Sequence, residues 1–180
     1  MIEGYYQRLF TTSNLTHMNE VLNSVERVVT DGMRHSLLVP YTEDEVHVAL
    51  FQMHPSKSPG LDGMSLYFFQ RFWPILGLDV TLAVLSVLHS GHCLRKMQHS
   101  HVVLIPKKLN SEYITEYRPI SLGNVVARVV SKVIVNQVKT ILPSIITDSQ
   151  SAFVPNRLIT DNTSVAYEML HCMQNRRKGK

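Results

Sequence analysis

The chain has 180 residues, 44% of them hydrophobic and 18% charged, with 8 Gly and 8 Pro. That composition suits one domain with a buried core, or a piece of a larger one, and excludes collagen, a disordered tail and a disulfide scaffold. The net charge of +4 is unevenly divided: residues 1–94 carry five Lys/Arg against nine Asp/Glu (−4), and residues 95–180 carry thirteen against five (+8).

Taken in chain order, residues 2–10 read as a helix end and residues 15–30 as a polar helix. Thr42 and Glu45 have the spacing of a capping box, in which the hydroxyl accepts from the Glu45 N–H and the carboxylate reaches back. Val46, Leu50 and Met53 follow at helical spacing, so this helix is expected to run to about Met53. Pro55–Gly63 (PSKSPGLDG) holds two Pro and two Gly and is a loop. A short aromatic helix is expected at 64–73 and a buried one at 78–90. His101–Pro106 (HVVLIP) is a β-branched strand, and Tyr117–Leu122 its antiparallel partner at a sheet edge, since Pro119 cannot donate to a ladder. Val125, Val126, Val129, Val130, Val133, Ile134, Val138, Ile141 and Leu142 form one stripe of a helix over 124–142, ended by Pro143. Arg128, Lys132 and Lys139 share another face of it. A loop follows at 148–160, then a last helix at 162–175 opened by Asp161.

The chemistry that is absent narrows the function. There is no Gly-rich phosphate loop and no Asp-Asp pair. Glu43-Asp44-Glu45 is consumed by a helix start, Asp62 suits a Gly turn, and Asp148 and Asp161 read as caps. Carboxylates that converge on two metal ions are therefore not in view. His89, His92, Cys93, His99 and His101 lack the paired short spacings of a zinc site. His92 and Cys93, as sequence neighbours, do not face each other on a helix. Cys93 and Cys172 lie far apart and fit a reducing compartment. No apolar run reads as long enough for a bilayer, and no signal peptide opens the chain. The basic half points to a polyanion, although a solvated basic face accounts equally for the charge alone. Lys107, Lys108 and Arg118 stand at the two ends of the hairpin loop. There they either bracket one anion or serve as ordinary charged hairpin ends.

Eight strings, in order, resemble the reverse transcriptase of plant non-LTR (LINE-type) retrotransposons. They are Tyr5–Thr11 (YYQRLFT); Tyr41–Val46 (YTEDEV) with Ala49–Met53 (ALFQM); Lys57–Met64 (KSPGLDGM); Phe68–Trp73 (FFQRFW); Val102–Lys107 (VVLIPK); Tyr117–Leu122 (YRPISL) with Asn124-Val125; Ser131-Lys132-Val133; and Ser149–Asn162 (SQSAFVPNRLITDN). They span nearly the whole chain.

The resemblance implies an α+β fold: helix-rich fingers and the start of a palm, with a small antiparallel hairpin. Residues 1–40 would be a helical lead-in, and 41–180 a partial reverse transcriptase domain that stops before the catalytic aspartates. Lys107 and Arg118 would contact the triphosphate of the incoming nucleotide. Lys57, Gly60, Asp62, Gly63, Gln150 and Arg157 would lie near the RNA template. RNA template, DNA primer and deoxynucleotide are the implied partners, with no membrane, and Mg2+ is expected for the full-length enzyme but not in this piece. The first metal aspartate, the Asp-Asp pair and the thumb of the family are not in this sequence. The expectation is a fragment of an RNA-directed DNA polymerase, inactive alone; the sequence carries no convincing address signal, and an intracellular, nuclear setting is implied by the resemblance only. A nucleic-acid-binding module and a non-functional relic are the alternatives. Asn156 replaces a usual Gly and Leu61 a frequent Pro; Asn tolerates positive φ better than most residues.

Overall fold

The computed structural model describes residues 2–12, 16, 18–92, 95–147, 150–151, 154 and 156–177. Cys93 and Asp148 lie outside the described residues. The elements in order are α1 (Ile2–Phe10), α2 (Met18–Ser24), α3 (Asp31–Leu37), α4 (Glu43–Phe51), α5 (Leu66–Arg71), α6 (Trp73–Ser90) and α7 (Arg95–Gln98). Strand β1 (Ser100–Pro106) and strand β2 (Tyr117–Gly123) flank a 3-10 turn (Ile114–Glu116). Helices α8 (Val125–Val138), α9 (Leu142–Ile145) and α10 (Ile159–Arg177) complete the chain. The fold is α+β, helix-rich with one two-stranded antiparallel sheet.

Contacts divide the chain into two compact units, Met1–Arg27 with Pro40–Ser131, and Val28–Val39 with Lys132–Lys180. In the first, α4 opens as the spacing predicts. Thr42 Oγ1 accepts from Glu45 N–H at 3.3 Å, and the Glu45 carboxylate accepts from Thr42 N–H at 2.8 Å. The helix ends at Phe51, one turn's fraction short of Met53. The Gln70 amide donates to the Leu50 and Met53 carbonyls at 3.0 and 2.9 Å. These are acceptors that a helix end leaves without a partner. Val46, Ala49, Leu50 and Met53 meet Leu66, Phe69, Val80 and Val84 of α5 and α6 in the core of this unit.

Three expectations for this region are corrected. Helix α6 starts at Trp73, not 78, because Pro74 occupies its first turn, where the missing N–H has no acceptor to lose. It is also not buried all round. Val80, Thr81 and Val84 face inward, whereas Ile75, Leu78 and Leu82 are more than half exposed. With 18 residues and a mean hydropathy of 1.4, α6 is long and apolar enough to cross a membrane by length and composition, contrary to the reading above. A mostly buried core helix passes the same test, whereas 17% of α6 is buried.

In the second unit, Thr30 caps α3 by accepting from Met33 N–H at 3.3 Å. The expected helix at 15–30 is only Met18–Ser24 among the described residues, in the first unit, and α3 was not expected. Helix α8 stops at Val138, four residues early. The chain tightens through Thr140 N–H to Gln137 O and Ile141 N–H to Val138 O, both 3.1 Å. Pro143 then opens α9 instead of ending α8. The apolar stripe survives the break: Val125, Val129, Val133 and Ile141 are buried, but Ile134 is 42% exposed. In α10, the Asp161 carboxylate accepts from Leu158 N–H at 3.0 Å, so Asp161 is a capping residue inside the first turn.

Candidate functional site

The hairpin is built by the β-branched run and its partner, in the register Val103↔Ile120, Ile105↔Arg118 and Pro106↔Tyr117. Side chains alternate across a strand, so Val103, Ile105, Ile120 and Arg118 share one face. That face is open: Ile105, Val103 and Ile120 are 47%, 43% and 41% exposed. Lys107 follows Ile105 by two residues and is bound to the ladder through its N–H to Glu116 O at 2.8 Å. Lys107 and Arg118 therefore fall on the same face, as diagonal neighbours at the loop end of the hairpin.

The three cations near this loop are not equivalent. Lys108 pairs with the Glu116 carboxylate. Glu116 also accepts from the N–H groups of Glu112 and Tyr113, at 2.8 and 3.3 Å. The hydrogen bond from Lys108, then that from Glu112 N–H, holds this carboxyl below its ordinary value. Lys107 Nζ donates to Thr115 O at 2.7 Å and keeps two donors to spare. Arg118 is exposed, and its side chain makes no hydrogen bond or ion pair among the described residues. The connecting loop is fixed by its own contacts. Tyr117 OH donates to Ser111 O at 2.9 Å, Ser111 OH to Lys108 O at 2.9 Å, and Asn110 takes a φ of +58°.

The 54–65 loop packs at the other end of the hairpin. Gly60 lies against Asn124: a Cβ there would stand 2.6 Å from Asn124 N and Cα. Asn124 Oδ1 is buried and has no hydrogen-bond partner among the described residues. Arg128 donates to Gly123 O at 2.8 Å and to Ser58 O at 2.6 Å. Asp62 closes an Asx turn by accepting from Met64 N–H at 3.1 Å, and Gly63 has a φ of +69°. Lys57 is exposed. Strand β2 runs seven residues between this loop and Lys107, a length of roughly 20 Å at about 3.3 Å per residue. Lys57, Gly60, Asp62 and Gly63 are thus grouped together, but away from Lys107.

In the second unit, Arg157 donates to the carbonyls of Thr147, Gln150 and Ile146 at 2.5, 2.8 and 3.4 Å. It closes the loop that carries Gln150, whose N–H donates to Thr147 O at 3.1 Å. Asn156 adopts a φ of +64°, the left-handed conformation that glycine also takes. Among the described residues no three His, Cys, Asp or Glu side chains come near enough to hold a metal ion. What sequence reasoning missed is the loss of Lys108 to Glu116 and the commitment of Arg128 to two backbone carbonyls. The second depends on a partner seventy residues away and leaves no local signal.

The chain is 34% identical, over 169 residues and 93% of its length, to the "Transposon TX1 uncharacterized 149 kDa protein" of Xenopus laevis. The chain is related to a transposon-encoded protein. It spans 13% of the length of that relative. No family model matches it.

Proposed function

We propose that the chain is the fingers portion of an RNA-directed DNA polymerase of the non-LTR retrotransposon type. Its hairpin would grip the triphosphate of an incoming deoxynucleotide. The observation that carries this reading is the hairpin register, which sets Lys107 and Arg118 on one open face while Lys108 is occupied by Glu116. Arg118 would present a planar fork to phosphate oxygens and Lys107 a point charge. The exposed apolar side chains of Val103, Ile105 and Ile120 offer a surface for the base and sugar. Similarity to a transposon protein supports the transposon origin in this reading. The eight sequence strings supply its finer part, including the plant LINE type.

Nucleotidyl transfer onto a primer 3′-hydroxyl needs charge neutralised on the triphosphate and a metal-held reacting phosphorus. Lys107 and Arg118 would do the first. The second needs carboxylates, and this sequence has no Asp-Asp pair, so no step through a metal is assigned to it. The chain by itself should not extend a primer. The binding-module alternative is weakened by Arg128, whose guanidinium is spent inside the fold.

Photo-crosslinking with a 5-azido-deoxyuridine triphosphate, followed by peptide mapping, tests the proposal. Label should fall on peptides from residues 100–123. Label spread over all basic segments, or equal labelling by the uncharged nucleoside, would refute it.

A further inference from the structure

A cavity lies apart from the hairpin, where the start of α4 faces the start of α6. It has a volume of about 490 Å³. Glu43, Asp44 and His47 line it from α4, and Trp73, Leu78 and Thr81 from α6. Two observations besides its acidity mark it as a place for a ligand. The first is Thr81, which is only 4% exposed and whose hydroxyl makes no hydrogen bond among the described residues. That oxygen still reaches solvent although its residue is buried, so it opens into the cavity, where a ligand can meet it. The second is the indole of Trp73. It is braced by His47 at 5.4 Å and Phe51 at 6.0 Å between ring centroids, both edge-on. It also lies flat over Gly77, where a Cβ would stand 2.8 Å from Trp73 Cε2. Glycine at 77 lets the ring lie against the helix backbone as the cavity wall.

We infer that this cavity receives an arginine side chain from a basic segment of a partner protein. An aromatic face beside two carboxylates is attractive to a guanidinium, which stacks on the ring and donates to the acids. Of the three acids expected above to be consumed by the start of α4, only Glu45 is spent on its cap; Glu43 and Asp44 have no ion-pair partner among the described residues, so both carboxylates are available. A phosphate backbone is repelled by the same two charges. Glu43, Asp44 and His47 do not converge closely enough to hold a metal ion, and no other such group does among the described residues. The charge of the first half of the chain, −4, has the sign that a basic partner needs. The inference does not rest on the hairpin or on the polymerase reading.

Trp73 is the one tryptophan of the chain, so its fluorescence reports on the cavity without a label. The probe is a nine-residue peptide with arginine at alternate positions, compared with the same peptide carrying citrulline, which keeps the shape and removes the charge. The expected result is a saturable change in Trp73 emission. Affinity should fall at least about tenfold with the citrulline peptide and in Glu43→Gln/Asp44→Asn, as for loss of a charge-assisted contact. Thr81→Val, which keeps the volume and deletes the hydroxyl, should weaken binding while circular dichroism stays unchanged. Equal binding of the citrulline peptide would overturn the inference. So would binding unaffected by Glu43→Gln/Asp44→Asn, or an emission change produced by a single-stranded RNA oligonucleotide and not by the arginine peptide.

Discussion

Gly60 is pressed against the backbone of Asn124, leaving no room for a single methyl group: a Cβ would stand 2.6 Å from both Asn124 N and Cα. Backbone on both sides cannot yield as a flexible side chain would. Gly60→Ala should destabilise the first unit by about 1–3 kcal/mol, the range for an overpacked site. Gly63→Ala meets nothing within 4 Å but must hold a φ of +69°, which costs about 1–2 kcal/mol. Urea denaturation of the two variants should rank Gly60→Ala at or below Gly63→Ala. The reverse order would mean that the loop can move away from Asn124.

Arg128 ties the same loop to the end of β2. Arg128→Met leaves Ser58 O and Gly123 O without their charged donor, a loss of about 1.5–3 kcal/mol for hydrogen bonds to a charged group. Arg128→Lys should not restore it, because one ammonium cannot reproduce the planar fork that reaches both carbonyls. Thermal melts of wild type, Arg128→Met and Arg128→Lys decide this. A fully stable lysine variant would contradict the geometry.

The loop end of the hairpin should depend on pH. The carboxyl of Glu116 is held below its ordinary value by Lys108 and by the Glu112 N–H. A lowered folded-state pKa means that the stabilisation is complete above the unfolded-state value. It is lost as pH falls through the folded-state value. Amide exchange at Glu112 and Tyr113 should therefore be slow at neutral pH and, after correction for intrinsic rates, lose its protection in acid. In Glu116→Gln the protection should be weaker at neutral pH and flat across the same range.

Helix α10 has no buried residue among those described, and Val165, Tyr167, Met169, Leu170 and Met173 are all at least 56% exposed. Helices draw most of their stability from packing one face. Hydrogen exchange in α10 should be at least tenfold faster than in α8 around Val129 and Val133. Equal protection would require a cover for α10, such as a second copy of the chain.

Local signals were readable, and signals from a distance were not. The Thr42–Glu45 capping box and the hairpin of β1 and β2, to within a residue, follow from side chains that act on neighbours three residues or one strand away. The stripe of Val125, Val129 and Val133 was equally plain. The end of α8 was hidden because Ile141 keeps the stripe's spacing across a break and remains buried. The start of α6 is marked by Pro74 in its first turn. Thr30 marked α3 in the same way. Arg128 looks like a surface cation until Ser58 is folded against it, and Trp73 like core until Gly77 lays its ring along a cavity wall.

The central claim is that Lys107 and Arg118 form a triphosphate site, and isothermal titration with deoxythymidine triphosphate tests it most directly. Lys107→Ala and Arg118→Ala should each weaken binding about tenfold, about 1.4 kcal/mol. Lys108→Ala, whose cation is already paired with Glu116, should change it less than about threefold, roughly 0.6 kcal/mol. Thymidine without phosphates should bind far more weakly than the triphosphate. Affinity that is indifferent to Lys107 and Arg118, or that falls most in Lys108→Ala, would contradict the account.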